Sequence, residues 1–280
     1  LRGAHADAEE LAHNGGKLTR THPIVNHLKI IRLTSISRNA VDILCRFSTI
    51  CRIDFTAPRS FHPLLKESSM NVVAFNGSPK ENGNTAAALK LVATELEGAG
   101  VTVNFVHLGK EVIRGCTACG ACIKNRNERC IIETDNVNDY IQLMKNADGI
   151  LLGSPVHFAA IAGTMKSFLD RAFYVTGVNN SMLRHKVAAS VVAVRRSGGV
   201  TTFDALNHYI NYAEMVMPGS NYWNVIHGTR PGDTVKDEEG EQIMRVLGRN
   251  MLWLLQLIEA GKSTHPAPAL ERKIYTNFVR

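Results

Sequence analysis

Four cysteines, Cys116, Cys119, Cys122 and Cys130, fall inside fifteen residues. Thiolates separated by two residues reach adjacent irons of a cubane iron-sulfur cluster, and the fourth ligand arrives from slightly further along the chain. The run Cys116-x2-Cys119-x2-Cys122-x7-Cys130 has that form. Four thiolates also satisfy tetrahedral zinc, although zinc sites generally use two separated C-x2-C pairs. Free or redox-active thiols are the third reading of the same spacing. The spacing favours a 4Fe-4S cluster, with zinc and empty thiols left open. Cys45 and Cys51 lie in a segment without sustained periodicity and take no assigned role.

A second kind of chemistry is offered by Gly77-Ser78-Pro79-Lys80-Glu81-Asn82-Gly83-Asn84-Thr85. It follows the compact apolar run Asn71-Val72-Val73-Ala74-Phe75, which has the composition of a buried parallel strand. A loop of small and hydroxyl residues that opens a helix presents free N–H groups and a positive dipole end to an anion. Ser78, Asn84 and Thr85 add side-chain hydrogen bonds, and Lys80 adds charge. An Asn or Thr N-cap accounts for Asn84-Thr85 alone but less well for the whole loop. Neither G-x-x-x-x-G-K-[ST] nor G-x-G-x-x-G is present, so the ATP, GTP and dinucleotide cradles are disfavoured. The next strand ends at Val106-His107-Leu108, without an acid to grip a ribose. A mononucleotide such as FMN fits this loop better, because flavodoxin-like sheets bind it at the same place.

The elements that must position these loops alternate. Strands are expected at 71–76, 101–107, 149–154, 186–194 and a short extended piece at 221–226. Helices are expected at about 85–98, 136–146, 163–174, 201–214 and 235–260. Apolar strands taking turns with helices imply a parallel sheet covered on both faces, and right-handed crossovers make it doubly wound. The expected fold is α/β: a flavodoxin-like five-stranded parallel sheet in a three-layer α/β/α arrangement. Its ligands sit at the carboxyl ends of the strands, near the point where strand order reverses. That directs attention to two further loops, Gly153-Ser154-Pro155-Val156-His157-Phe158 and Arg195-Arg196-Ser197-Gly198-Gly199. In the last helix Ile243, Leu247, Met251, Leu254 and Ile258 fall at helical spacing, and Trp253 and Leu255 widen the apolar face. Core packing explains most of that stripe; the excess width points to a subunit interface.

At these loops the sequence resembles the NADPH-dependent FMN reductase superfamily, and specifically its iron-sulfur flavoprotein branch. Gly77-Ser78-Pro79-Lys80-x-x-Gly83-Asn84-Thr85 is similar to its phosphate loop. Gly153 to Phe158, followed by Met165-Lys166-x-Phe168-Leu169-Asp170-Arg171, is similar to its second flavin loop and the helix after it. The cysteine run is similar to the compact motif of that branch. The resemblance covers about residues 70 to 260. It implies that Ser78, Lys80, Asn84 and Thr85 hold the FMN phosphate, that Pro155, Val156, His157 and Phe158 border the isoalloxazine ring, and that Ser197, Gly198 and Gly199 lie against its pyrimidine side. Cys116, Cys119, Cys122 and Cys130 would be the cluster ligands. Arg195 and Arg196 would neutralise reduced flavin or a nicotinamide nucleotide's phosphate, or else serve as surface salt-bridge partners. A lone histidine in an apolar loop is more often structural than catalytic, and hydride transfer needs aligned rings more than an acid or base, so His157 is not expected to carry the chemistry.

The expected activity is therefore that of an FMN-dependent NAD(P)H oxidoreductase, passing electrons from flavin to an iron-sulfur cluster or a small acceptor. A flavin and iron-sulfur electron carrier, or a zinc-stabilised binding module on the same fold, are the alternatives. The acceptor and the preferred nucleotide are not specified by sequence; a homodimer or homotetramer is expected.

Composition agrees. The chain has 280 residues, 45% hydrophobic and 20% charged, which excludes disordered, collagenous and disulfide-scaffold classes. Its longest apolar stretches, Val187 to Val194 and Met251 to Leu255, are far too short for a spanning helix. Of the 32 Lys/Arg and 25 Asp/Glu, ten and six fall in residues 1–69, so the rest is only mildly basic, at 22 against 19. No basic run with interleaved aromatics is present, which argues against a nucleic-acid partner. Without an apolar h-region in Leu1 to Glu10, a cytoplasmic location is expected. Residues 1–69 read as an extension outside the fold, with Met70 a natural start; a targeting peptide or a small helical appendage are the alternatives. Residues 70–262 then form the FMN domain and 263–280 a C-terminal tail.

Overall fold

A computed structural model describes residues 70–276 and 278, all within the compact unit that spans Leu64–Arg280. The expectations for residues 1–69, including Cys45 and Cys51, lie outside the described residues. The chain runs β1 (Asn71–Asn76), α1 (Asn84–Glu97), β2 (Thr102–His107), α2 (Ala121–Asn125), α3 (Val137–Asn146), β3 (Gly149–His157), β4 (Ala160–Ile161), α4 (Gly163–Val178), β5 (Val187–Val194), α5 (Gly199–Tyr212), β6 (Val225–His227), a 3-10 turn (Asp233–Lys236) and α6 (Glu238–Gly261). Five strands are parallel in the order β2-β1-β3-β5-β6, and β4 pairs antiparallel with the end of β3. Discounting β4, this is the flavodoxin order 2-1-3-4-5, with the reversal between β1 and β3. The flavodoxin-like three-layer expectation is met.

Two cores follow from the strand period. Successive side chains alternate between sheet faces. Val73, Phe75, Ile150, Leu152, Ala188 and Val192 pack on one side with α3, α4 and α5. Val72, Ala74, Leu151, Ala189, Val191 and Ala193 pack on the other with α1 and α6. Every residue of β5 is buried, as a strand covered on both faces requires. β2 lies at the sheet edge and alternates less cleanly, with Asn104 and Phe105 exposed. Gly248 lets α6 meet α1 closely, since a Cβ there would stand 2.8 Å from the carbonyl oxygen of Val92.

Three expectations need correction. β3 does not stop at residue 154 but continues to His157 and turns back through Phe158 into β4, with Val156 opposite Ile161 and His157 opposite Ala160. The cysteine loop after β2 contains a helical turn, α2. The extended piece at 221–226 contracts to β6, 225–227. In α6 the buried face is Ile243, Met244, Leu247, Met251 and Leu255, while Trp253 and Leu257 stand exposed. Among the described residues no helix is long and apolar enough to cross a membrane. After Gly261 the chain is extended, tied by Arg184 donating to the Pro268 carbonyl at 2.7 Å and by Lys273 donating to the Tyr212 hydroxyl at 2.8 Å.

Candidate functional site

The loop after β1 is built around the peptide of Ser78. Its N–H donates to Asn76 Oδ1 at 3.0 Å, and its Oγ accepts from the Lys80 N–H at 3.1 Å. A hydroxyl that accepts one bond still has its proton to give. His107 Nε2 lies 2.8 Å from the Ser78 carbonyl oxygen. Gly109 packs onto the same carbonyl so closely that a Cβ would come within 1.8 Å of it. Asn76 Nδ2 donates to the Glu81 carbonyl at 3.1 Å and closes the turn. Glu81 itself is engaged by Lys110 at 3.0 Å, which holds its carboxyl below the usual range. α1 opens after Gly83 with no side-chain cap, leaving its first-turn N–H groups to whatever anion is offered. Ser78 and Thr85 are buried there and Lys80 is exposed. Asn84 Oδ1 is buried without a partner, and its amide packs against Gly228 after β6.

The other loops meet this one. Gly77 N–H donates to the Gly153 carbonyl at 2.8 Å, which joins the ends of β1 and β3. The β3–β4 hairpin is pinned by Ser154, whose Oγ accepts from the Ala162 N–H at 3.1 Å and donates to the Pro155 carbonyl at 2.8 Å. Pro155 and Val156 are half-buried; His157 and Phe158 are exposed, with Phe158 at the hairpin tip in the left-handed region at φ 61°. Gly198 adopts φ 87° at the start of α5, and a Cβ there would stand 3.1 Å from Val156 Cγ1. Val156 and Gly198 therefore bring the second and third loops together at the carboxyl edge of the sheet. Ser197, Arg195 and Arg196 are exposed, and neither arginine has an ion-pair partner among the described residues.

The cysteine loop lies after β2 as expected, and all four cysteines line one pocket together with Arg171 and Tyr174. Ala118, Gly120, Arg126 and Glu128 all have positive φ, so the chain curls repeatedly. Such curls turn backbone N–H groups toward a common centre. The N–H of Ala121, and then the Thr117 hydroxyl, lower the pKa of Cys119. Burial raises that of Cys122, with the charges of Cys130 and Cys116 adding to it against the N–H groups of Cys122 and Ile123. A zinc ion gathers sulfurs at about 2.3 Å from one point. Among the described residues no group of three or more His, Cys, Asp or Glu is gathered to hold one ion. Four thiols along one pocket lining are the donor set that a cubane, whose ligands each take a different iron, would use.

A family model for NADPH-dependent FMN reductases matches residues 70–230. The chain belongs to that family. This makes it a flavoprotein oxidoreductase of the FMN type. An iron-sulfur flavoprotein of Methanocaldococcus jannaschii is 30% identical over 197 residues, covering 68% of this chain and 100% of that one. Another, of Methanosarcina thermophila, is 26% identical over 198 residues, covering 69% and 99%. Among solved structures, RosB with bound 8-demethyl-8-formylriboflavin-5'-phosphate shares the fold at TM-score 0.50 and 13% identity, over 75% of this chain and 94% of that one.

Several residues that build this FMN reductase family member's cysteine pocket escape sequence reasoning. Asn138 on α3 is buried; its Oδ1 accepts from the Cys130 N–H at 2.7 Å, and its Nδ2 donates to the carbonyls of Cys130 at 3.0 Å and Ile132 at 3.3 Å. Asn179, at the end of α4, accepts from the Glu128 N–H at 3.1 Å, and Arg126 donates to the Val178 carbonyl at 2.7 Å. Tyr140 donates to Glu111; burial first, and Glu111 next, push its pKa up to about 12, so it remains a donor at neutral pH. Arg171 is 1% exposed and pairs with Asp135. In the sequence Asn138 shows only as an Asn near the start of the helix expected at 136–146, where it reads equally as a cap. Asn138→Ala removes three bonds to one strand of loop and should cost about 1–3 kcal/mol. Loss of thermal stability together with faster alkylation of Cys130, the thiol whose backbone Asn138 holds, would show it.

Proposed function

We propose that the protein is an NAD(P)H-dependent oxidoreductase that holds FMN at the β1, β3 and β5 loops and a 4Fe-4S cluster at Cys116, Cys119, Cys122 and Cys130. The observation that carries this is spatial. Three loops meet at the carboxyl edge where strand order reverses, and the four cysteines share one pocket.

In this reading the Ser78 hydroxyl, the Thr85 hydroxyl, the Asn84 amide, Lys80 and the first-turn N–H groups of α1 hold the FMN phosphate. The orphaned amide of Asn84 is the feature such a group would satisfy: interchange of its O and N presents a donor to the anion. Pro155 and Val156 border one side of the ring, with His157 and Phe158 at the outer end of the hairpin. Ser197, Gly198 and Gly199 offer N–H groups to its pyrimidine side, where such donors favour negative charge. Arg195 and Arg196, unpaired at the rim, suit the phosphate of an incoming nicotinamide nucleotide. When bound, FMN supplies two-electron acceptance and one-electron release. His157 is given no proton-transfer role, because hydride transfer depends on ring alignment. The protein's part would be to hold the ring through Pro155, Val156 and the backbone of Ser197 to Gly199, where FMN would supply the electron-accepting chemistry.

The absorption spectrum of anaerobically purified protein tests both groups, and steady-state oxidation of NADPH and NADH tests the activity. Flavin bands on a broad iron-sulfur absorption, with turnover of one nucleotide, are expected. Bound flavin without turnover of either nucleotide would make the protein an electron carrier. A colourless preparation containing stoichiometric zinc would overturn the reading altogether.

A further inference from the structure

Among the described residues Arg171 is the only arginine that lines the cysteine pocket, and it is 1% exposed. Three of its bonds are accounted for. Nη1 pairs with Asp135 and donates to the Arg114 carbonyl at 3.3 Å, and Nη2 donates to the Ile132 carbonyl at 2.9 Å. Its Nε–H is buried and has no hydrogen-bond partner among the described residues, while the Cys130 thiolate acts on the same guanidinium. A buried N–H with nothing to donate to carries the full penalty of its desolvation. Evolution of a packed site seldom leaves that cost in place unless a group outside the chain takes the bond. The rest of the guanidinium is immobilised by carbonyls on either side of the cysteine loop, at Arg114 before Cys116 and at Ile132 after Cys130. The fork therefore cannot turn its Nε to another protein acceptor without giving up bonds it already makes.

We propose that Arg171 Nε–H donates a hydrogen bond to a sulfur of the bound cluster and thereby raises its reduction potential; this rests on the assignment of the four cysteines as cluster ligands. One-electron reduction adds one unit of negative charge to the cluster, and no proton need move. A donor fixed beside a sulfur stabilises the reduced form more than the oxidised one, and such bonds are among the levers that set cluster potentials. The fork position matters as well as the charge: lysine keeps the cation but presents a point ammonium in place of the planar donor. Arg171 is thus a tuning and positioning residue, not a ligand.

Two measurements test this on the intact holoprotein. The first uses wild-type protein grown with arginine labelled with 15N only at Nε and reduced with titanium(III) citrate. Pulsed EPR of the reduced cluster should show a 15N coupling, which Arg171→Lys, labelled in the same way, should lack. The second is an EPR-monitored redox titration. The cluster midpoint should fall in Arg171→Lys while the flavin midpoint and the iron and sulfide content per chain stay at wild-type values. A wild-type cluster signal without 15N coupling overturns the proposal even if the lysine variant fails to fold. An unchanged midpoint in a fully loaded lysine variant overturns it too. If wild-type protein shows no iron, no sulfide and no EPR signal, the cluster assignment itself falls and the proposal with it.

Discussion

Gly109→Ala is expected to weaken FMN binding roughly tenfold to a hundredfold. Gly109 follows β2, and a methyl group at that position would stand 1.8 Å from the Ser78 carbonyl oxygen and 2.3 Å from its carbon. Neither atom belongs to a flexible side chain, so the strain cannot be relieved by a rotamer change. The peptide of Ser78 must move, and with it the Asn76 and Lys80 bonds that shape the loop. Overpacking of this kind costs about 1–3 kcal/mol, and each 1.4 kcal/mol or so is a factor of ten in affinity. Flavin fluorescence quenching on titration of apoprotein measures it. Gly177→Ala is the control: it lies within α4 with nothing within 4 Å of its Cβ position. There the gain in helix propensity should stabilise the chain by roughly 0.5–1 kcal/mol with FMN affinity unchanged. Unaltered affinity in Gly109→Ala would remove the Ser78 loop from the flavin site.

Asp135→Ala should cost the fold about 3–5 kcal/mol, because it leaves the Arg171 charge buried and unpaired. The side chain of Arg171 is 0% exposed and that of Asp135 5%, so neither can turn to water. Burial works against the Arg171 charge; Asp135 and then Cys130 more than restore it, and its pKa is raised. For a domain of this size each kcal/mol shifts the midpoint of thermal unfolding by roughly 2–4 °C. A drop of about 6–20 °C is expected in apoprotein. Asp135→Ala combined with Arg171→Met should recover most of it, since removing both charges also removes the desolvation penalty. Equal melting of the single and double variants would show that the loss comes from loop contacts other than the ion pair.

The contrast between these two sites shows what kind of information a sequence carries. The loop after β1 is legible because its residues are contiguous. A buried strand, a run of Gly and hydroxyl residues and a helix start follow one another within the stretch 71–97, and each has a local cause. Strand and helix order was legible for the same reason, through apolar runs of strand length alternating with helical spacing. The end of β3 is not legible in this way, since Pro155 has no N–H to give a sheet ladder. Only the pairing of Val156 with Ile161 and His157 with Ala160, across a left-handed Phe158 that nothing in its type foretells, keeps the chain extended. Gly109 carries no local mark of its role, since its partner Ser78 is 31 positions away in the sequence.

The sequence by itself determined the doubly wound sheet, the loops at the carboxyl ends of its strands and a cysteine run with cluster spacing, because propensity, period and local spacing are properties of neighbours in the chain. Only the tertiary structure decided that Arg171 and Asp135 form a buried pair behind the cysteines, that Asn138 holds the backbone of Cys130, and that Val156 meets Gly198. The first and last of these contacts join segments far apart in the chain, and Asn138 reaches back across the turn of the cysteine loop. Their existence depends on how helices α3 and α4 and the strand ends are brought together on the sheet, and a charged or amide side chain carries no local mark of whether packing will bury it.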